Sequence, residues 1–133
     1  MIEGWHDDQY VILFDEGNVA EMTRRYELAL YLHGFEVVGL RGWDDFIVRD
    51  HVGELFTVPT VPVDQKYMAR LPGTIDVLRF KGDDRFTGKI KWYVKPIVFG
   101  GDPKSPDNIV WVSLDQHVEA VKWWNQMYRK VSQ

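Results

Sequence analysis

The sequence predicts an α+β protein in which an antiparallel meander of strands is packed by two helices. Two amphipathic stretches carry helix-start signals, and three short apolar segments follow one another with connections too short to cross over a sheet. Strands and helices are largely segregated along the chain, which favours α+β over a doubly wound sheet. The length, 133 residues, fits one domain, so we treat residues 1–133 as a single unit.

The first predicted helix covers residues 19–33. Asn18 with Glu21 three residues later is typical of a helix N-terminus, and Gly34 supplies a left-handed stop. The apolar residues expected on its buried face are Val19, Met22, Tyr26, Ala29 and Leu30.

The strand predictions rest on short apolar runs between turn residues. The predicted strands are Tyr10–Phe14, Phe35–Leu40, Asp45–Asp50, Glu54–Pro59 and Ile109–Val112. Residues 63–72 favour one or two helical turns, 74–80 fit strand or helix equally, and 89–99 favour an extended segment interrupted by Pro96. Residues 100–108, rich in Gly, Pro and Asp, indicate a loop.

The second predicted helix covers residues 114–131. Ser113 and Gln116 form a capping box, and His117 is expected at the boundary of the helix. The apolar arc of this helix is wider than one core-facing stripe requires. Either the helix lies deep in the protein, which is the simpler interpretation, or Trp123 and Met127 face a partner.

The composition limits the classes of function. The chain has no cysteine, which excludes disulfides and thiolate metal sites and is compatible with a cytoplasmic location. Its net charge of −4 argues against nucleic acid as the partner. The acidic, polar N-terminus is unlike a signal peptide, and no apolar run is long enough to span a membrane.

The turn at residues 41–45 contains charged and aromatic side chains that a simple hairpin turn does not require. Arg41, Trp43, Asp44 and Asp45 place one large aromatic ring beside a cation and two carboxylates, which suits protein recognition. An alternative is that the aspartates only cap the turn backbone. Strand alternation is expected to point the two carboxylates to opposite faces, which argues against a paired acid–base role.

Other candidate sites are weaker. The consecutive residues His6, Asp7 and Asp8 lack the spacing of a metal site, and residues 100–103 lack the lysine and helix start of a phosphate-binding loop. We find no nucleophile motif. The sequence therefore predicts no catalytic residue, no metal and no cofactor.

Residues 10–70 carry a recognisable pattern. A helix-like stretch ending in "YLHGF" is followed by a strand ending in Val38-Gly39, a strand from Asp45 to Asp50, Gly53, and "FTVPTVP". This order resembles the SUKH superfamily (Smi/Knr-like), small α+β domains best known as bacterial toxin-immunity proteins. The leading helix of that family has no counterpart here, and we expect the C-terminal helix to cover the same face of the sheet instead.

The resemblance implies a non-enzymatic cytoplasmic protein that binds and occludes a cognate toxin. The predicted contact residues are Arg41, Trp43, Asp44 and Asp45, with Trp123 as an additional one. An alternative is a small-ligand or carbohydrate binder, which would need several exposed tryptophans on one concave surface. A metal-dependent hydrolase would need carboxylates and a histidine around one ion.

Overall fold

The main sheet of the protein is a six-stranded meander. The computed structural model describes residues 1–132, and in it the strands lie in the order β1-β2-β3-β4-β5-β6, each antiparallel to the next. Their bounds are β1 Ile2–His6, β2 Gln9–Leu13, β3 Glu36–Arg41, β4 Asp45–Arg49, β5 Leu55–Pro59 and β6 Ala69–Arg70. A second antiparallel pair contains β7 (Ile90–Tyr93) and β8 (Ile109–Val112). The predicted α+β meander is confirmed.

Both faces of the main sheet are covered, because strand alternation sends successive apolar side chains to opposite sides. The larger core contains Phe46 and Val48 of β4, and the smaller one contains Ile47 from the same strand. Ile75 and Phe80, from the loop after β6, pack on the smaller core.

The C-terminal helix α2 (Leu114–Val131) matches its predicted bounds. Ser113 Oγ accepts from the backbone N–H of Gln116, whose side chain accepts from the backbone N–H of Ser113. Val118 and Val121 join the larger core of the sheet. The helix therefore covers a face of the meander, as expected.

The first helix is shorter than predicted. Helix α1 (Val19–Arg25) ends where Glu27 adopts a left-handed backbone with φ of 57°, and a 3₁₀ turn follows at Leu28–Leu30. Leu30, expected on the buried face, is exposed. The predicted side-chain cap by Asn18 is also wrong, because a 3₁₀ turn at Glu16–Asn18 runs into α1 and leaves Asn18 in a helical conformation.

Gly39 shows why β3 needs a glycine. The register between β3 and β4 shifts between Val37 and Gly39, as at a β-bulge. A Cβ added at Gly39 would lie 2.2 Å from the carbonyl oxygen of Ile12 on β2. Any side chain there would push β2 and β3 apart.

Candidate functional site

The turn between β3 and β4 has a backbone that places Trp43 in the left-handed region, with φ of 61°. An aromatic residue adopts this conformation only at a cost, so the surrounding contacts must hold it there. Its ring stacks on Tyr10, with centroids 5.1 Å apart and planes 13° from parallel. The ring of Trp111 meets it edge-on at 5.2 Å.

Trp43 belongs to an aromatic cluster, which we define as Trp5, Tyr10, Trp43, Phe86 and Trp111. The indole nitrogen of Trp43 is buried and has no hydrogen-bond partner among residues 1–132. The sequence analysis expected this ring to act as an anchor at the tip of the turn, whereas the structure packs it inside the cluster. A contact role for Trp43 stays a prediction.

Asp44 forms the centre of a small polar network. Lys91 Nζ donates to Asp44 Oδ2 at 3.1 Å and to the hydroxyl of Tyr93 at 3.0 Å. The ammonium group also lies over the Tyr93 ring, 4.6 Å from its centroid. The carbonyl of Asp44 accepts from the backbone N–H of Thr60 at 3.0 Å, which joins the turn to the chain after β5.

Asp45 has a different environment from Asp44. Burial raises the pKa of the Asp45 carboxyl, the neighbouring Asp44 carboxylate raises it further, and Arg41 partly opposes the shift. Both aspartates contribute to the lining of one cavity. That their carboxylates point to opposite faces stays a prediction: the Asp44 carboxylate binds Lys91, whereas Asp45 lies opposite Arg41 across β3 and β4.

Arg41 lies opposite Asp45 across β3 and β4 but does not line the same cavity. It lines a separate polar cavity together with Gln9, Thr74 and Arg79. Of the predicted turn residues, Asp44 and Asp45 therefore line one cavity, whereas Trp43 and Arg41 do not.

The cavity beside the two aspartates is mainly apolar and has a volume of about 310 Å³. Its walls come from the chain after β5, from β7 and from the 3₁₀ turn at Ile97–Phe99. The lining residues other than the aspartates are Pro59, Thr60, Val61, Pro62, Tyr67, Trp92, Tyr93, Pro96, Ile97 and Val98.

Asn125 of α2 holds one wall of this cavity in place. Its Oδ1 accepts from the backbone N–H of Val63 at 2.8 Å, and its Nδ2 donates to the carbonyl of Thr60 at 2.8 Å. Asn125, Thr60 and Val63 are all buried. The helix thus fixes the backbone on both sides of Val61 and Pro62.

An exposed apolar surface begins at the cavity and extends to α2. Tyr67, Ile97 and Val98 are exposed at the cavity, and Trp123 is 52% exposed. The ring centroids of Phe99 and Trp124 lie 4.8 Å apart, and those of Trp124 and Trp123 lie 4.7 Å apart. These contacts make the surface continuous. We call these six residues the apolar surface.

Trp123 is the most solvent-exposed of the predicted contact residues. The wide apolar arc of α2 had two interpretations, a deep helix or a helix with one side facing a partner. Val118 and Val121 are buried while Trp123 is exposed, so α2 packs on one side and presents Trp123 on another.

His117 is fully buried, so the prediction that it lies at a boundary is wrong. Its Nδ1 lies 2.7 Å from the hydroxyl of Tyr26, and its Nε2 has no partner among residues 1–132. Burial lowers the pKa of His117 to about 3, so the ring is neutral near pH 7. It belongs to the core between α1 and α2.

Residues 1–132 contain neither a cluster of three potential metal ligands nor a membrane-spanning helix. No three histidine, aspartate or glutamate side chains in this range come together in a way that could hold a metal ion. Every helix in the same range is too short or too polar to cross a membrane.

Sequence reasoning missed Tyr67, the turn at Ile97–Phe99 and Asn125. Asn125 had a detectable signal, because it lies four residues after Val121 on the apolar face of α2, where a polar side chain must be paired. No sequence signal indicated the cavity, because its walls come from segments that are far apart in the chain. Comparison with protein-family models, curated proteins and solved structures found no match for this chain.

Proposed function

We propose that this protein is a non-enzymatic binding domain of the immunity type, which neutralises a bacterial toxin by covering it. One observation carries the proposal: the continuous apolar surface that runs from the cavity to Trp123. Contiguous apolar patches on a protein surface mark interaction sites more often than isolated apolar residues do. Tryptophan and tyrosine are also the usual anchors of protein interfaces.

The immunity role rests on the SUKH-like pattern over residues 10–70. Such a role requires a cytoplasmic location and a cognate toxin, and both belong to the proposal. Neutralisation by occlusion needs a surface that stays ordered before binding. Helix α2 and the hydrogen bonds of Asn125 supply that order beneath the apolar surface.

A small apolar ligand is the second candidate, and the cavity favours it. A volume of about 310 Å³ lies at the lower end of the range for ligand pockets, and the walls are mainly apolar. A carbohydrate binder would instead stack sugars on exposed tryptophans. Trp111 and Trp123 are exposed, but neither lines this cavity.

The test uses the product of the gene beside this one in its native host, which the proposal requires to be a toxin. Co-expression should rescue growth, and the purified proteins should form a complex whose affinity is measured by calorimetry. Replacing a buried interface anchor typically costs about 2 kcal/mol, so Trp123→Ser and Tyr67→Ser should each weaken binding by about thirtyfold.

Leu78→Ser is the matched control, because Leu78 is 91% exposed and lies in the loop that covers the other core. This variant should bind as the wild type does. Unchanged affinity in both the Trp123 and Tyr67 variants would show that this surface is not the interface. An equal loss in the Leu78 variant would show that the effect is not local.

A further inference from the structure

Strand β8 forms an open edge of the smaller sheet. Among residues 1–132 it pairs with β7 alone. The backbone N–H of Val94 donates to the carbonyl of Asn108 at 2.8 Å, and hydrogen bonding alternates from residue to residue along an antiparallel ladder. By this alternation the N–H and C=O of Trp111 point away from β7. Neither group has a hydrogen-bond partner in the described part of the chain.

The two edges of the main sheet are protected against pairing with a further strand. At the β1 edge, the N–H of Trp5 donates to the carbonyl of Lys81 at 2.8 Å, and the N–H of Lys81 donates back at 2.9 Å. At the other edge, β6 contains only Ala69 and Arg70. Short edge strands and charged edge residues both discourage pairing with another chain.

Strand β8 lacks these protections. Its residues, Ile109–Val112, are all apolar and include no proline. Val110 is 38% exposed and Trp111 is 41% exposed, whereas the residues of β7 are buried or half-buried. An exposed apolar edge strand of this kind is a template for pairing with another strand.

We propose that β8 pairs with β8 of a second copy of this chain, antiparallel about a two-fold axis at Trp111. A residue on this axis, with both backbone groups pointing outward, exchanges two hydrogen bonds with its own copy. Val110 then lies opposite Val112 of the second copy, and the sequence Val-Trp-Val is the same in both directions. The edge is therefore complementary to itself, with apolar residues opposite each other at every position.

The pairing joins two small sheets into one sheet of four strands, in the order β7-β8-β8-β7. A two-stranded sheet is only marginally stable by itself, so both copies gain from the extension. Neither Val110 nor Trp111 lines the cavity or belongs to the apolar surface. The inference therefore goes beyond the proposed function and does not depend on it.

The first experiment measures the mass of the protein by sedimentation equilibrium between about 10 µM and 1 mM, since association depends on protomer concentration. The mass should rise towards twice the monomer value. Val110→Lys should weaken association by about tenfold or more, because it places a charge on the edge. Val52→Lys makes the same change at a 72% exposed residue in the turn between β4 and β5, and this control should associate as the wild type does. A monomer at every concentration, or equal association of the wild type and the Val110 variant, would overturn the inference.

The second experiment uses the wild-type protein and follows amide exchange by NMR. In dilute solution the Trp111 amide should exchange quickly, whereas the amides of Val110 and Val112 are protected by β7. At high concentration the exchange of Trp111 should slow by about tenfold or more, as expected for a newly bonded amide. In a half-labelled sample, a nuclear Overhauser effect between the Hα atoms of Val110 and Val112 of different copies should identify the register. Exchange of Trp111 that does not change with concentration, or that slows only when another protein is added, would overturn the inference.

Discussion

Asn125→Ala is expected to destabilise the protein strongly, because one buried side chain satisfies two buried backbone groups. Asn125 is 1% exposed and bonds to the N–H of Val63 and the carbonyl of Thr60. Alanine leaves both groups without this partner. Each unsatisfied buried group costs about 1–3 kcal/mol, so the free energy of unfolding should fall by about 2–6 kcal/mol. That is a large part of the stability of a typical domain.

The loss should be measured by urea unfolding followed by circular dichroism, with the slope of the transition checked for constancy. Gln126→Ala is the control, because Gln126 is the next residue of α2 and is exposed. It should change the free energy of unfolding by less than about 0.5 kcal/mol. A loss below about 1 kcal/mol in the Asn125 variant would refute the view that this residue holds the cavity wall.

Three further predictions concern the backbone and the core. Glu27→Gly should raise the free energy of unfolding by about 1 kcal/mol, because glycine adopts the left-handed backbone without the cost that glutamate bears. Glu21→Gly inside α1 should lower it by a similar amount, and a fall for Glu27→Gly in chemical denaturation would contradict the reasoning. His117 has a pKa lowered to about 3 by burial, so the unfolded chain binds its proton first and stability is lost as pH falls from about 6.5 towards 3. His117→Gln should flatten the dependence of stability on pH in that window, and identical slopes would show that His117 does not govern it. Gly39→Ala should cost about 3 kcal/mol or more, since its Cβ would collide with the Ile12 carbonyl; a melting temperature equal to that of the wild type would exclude this clash.

Local signals explain which elements the sequence predicts well. The capping box at Ser113 and Gln116 and the long apolar arc of α2 lie within one continuous segment, so both bounds of that helix follow from it. The meander follows equally from short turns and apolar alternation. Helix α1 ends early because Glu27 adopts a left-handed backbone, which is rare for glutamate. No residue pattern in the sequence predicts this conformation.

Long-range contacts explain what the sequence does not predict. From the sequence, the residues of β1 resemble a solvated N-terminal segment. In the structure they form a strand, in which Gly4 pairs with Val11 and Trp5 packs on Tyr10. The position of Trp43 depends on Trp111, which lies far along the chain. Asp44 and Asp45 are adjacent in the sequence, but the other walls of the cavity that they line come from residues 59–62, 67, 92–93 and 96–98, which are far apart in the chain.

Amide hydrogen exchange on the complex with the toxin-like partner tests the binding surface most directly. Binding through the apolar surface and the cavity predicts slower exchange in residues 59–67, 96–99 and 120–124 than in the free protein. Exchange in the loop at 74–80, on the other face of the sheet, should not change. Protection confined to that loop, with the first three segments unaltered, would contradict the proposed interface.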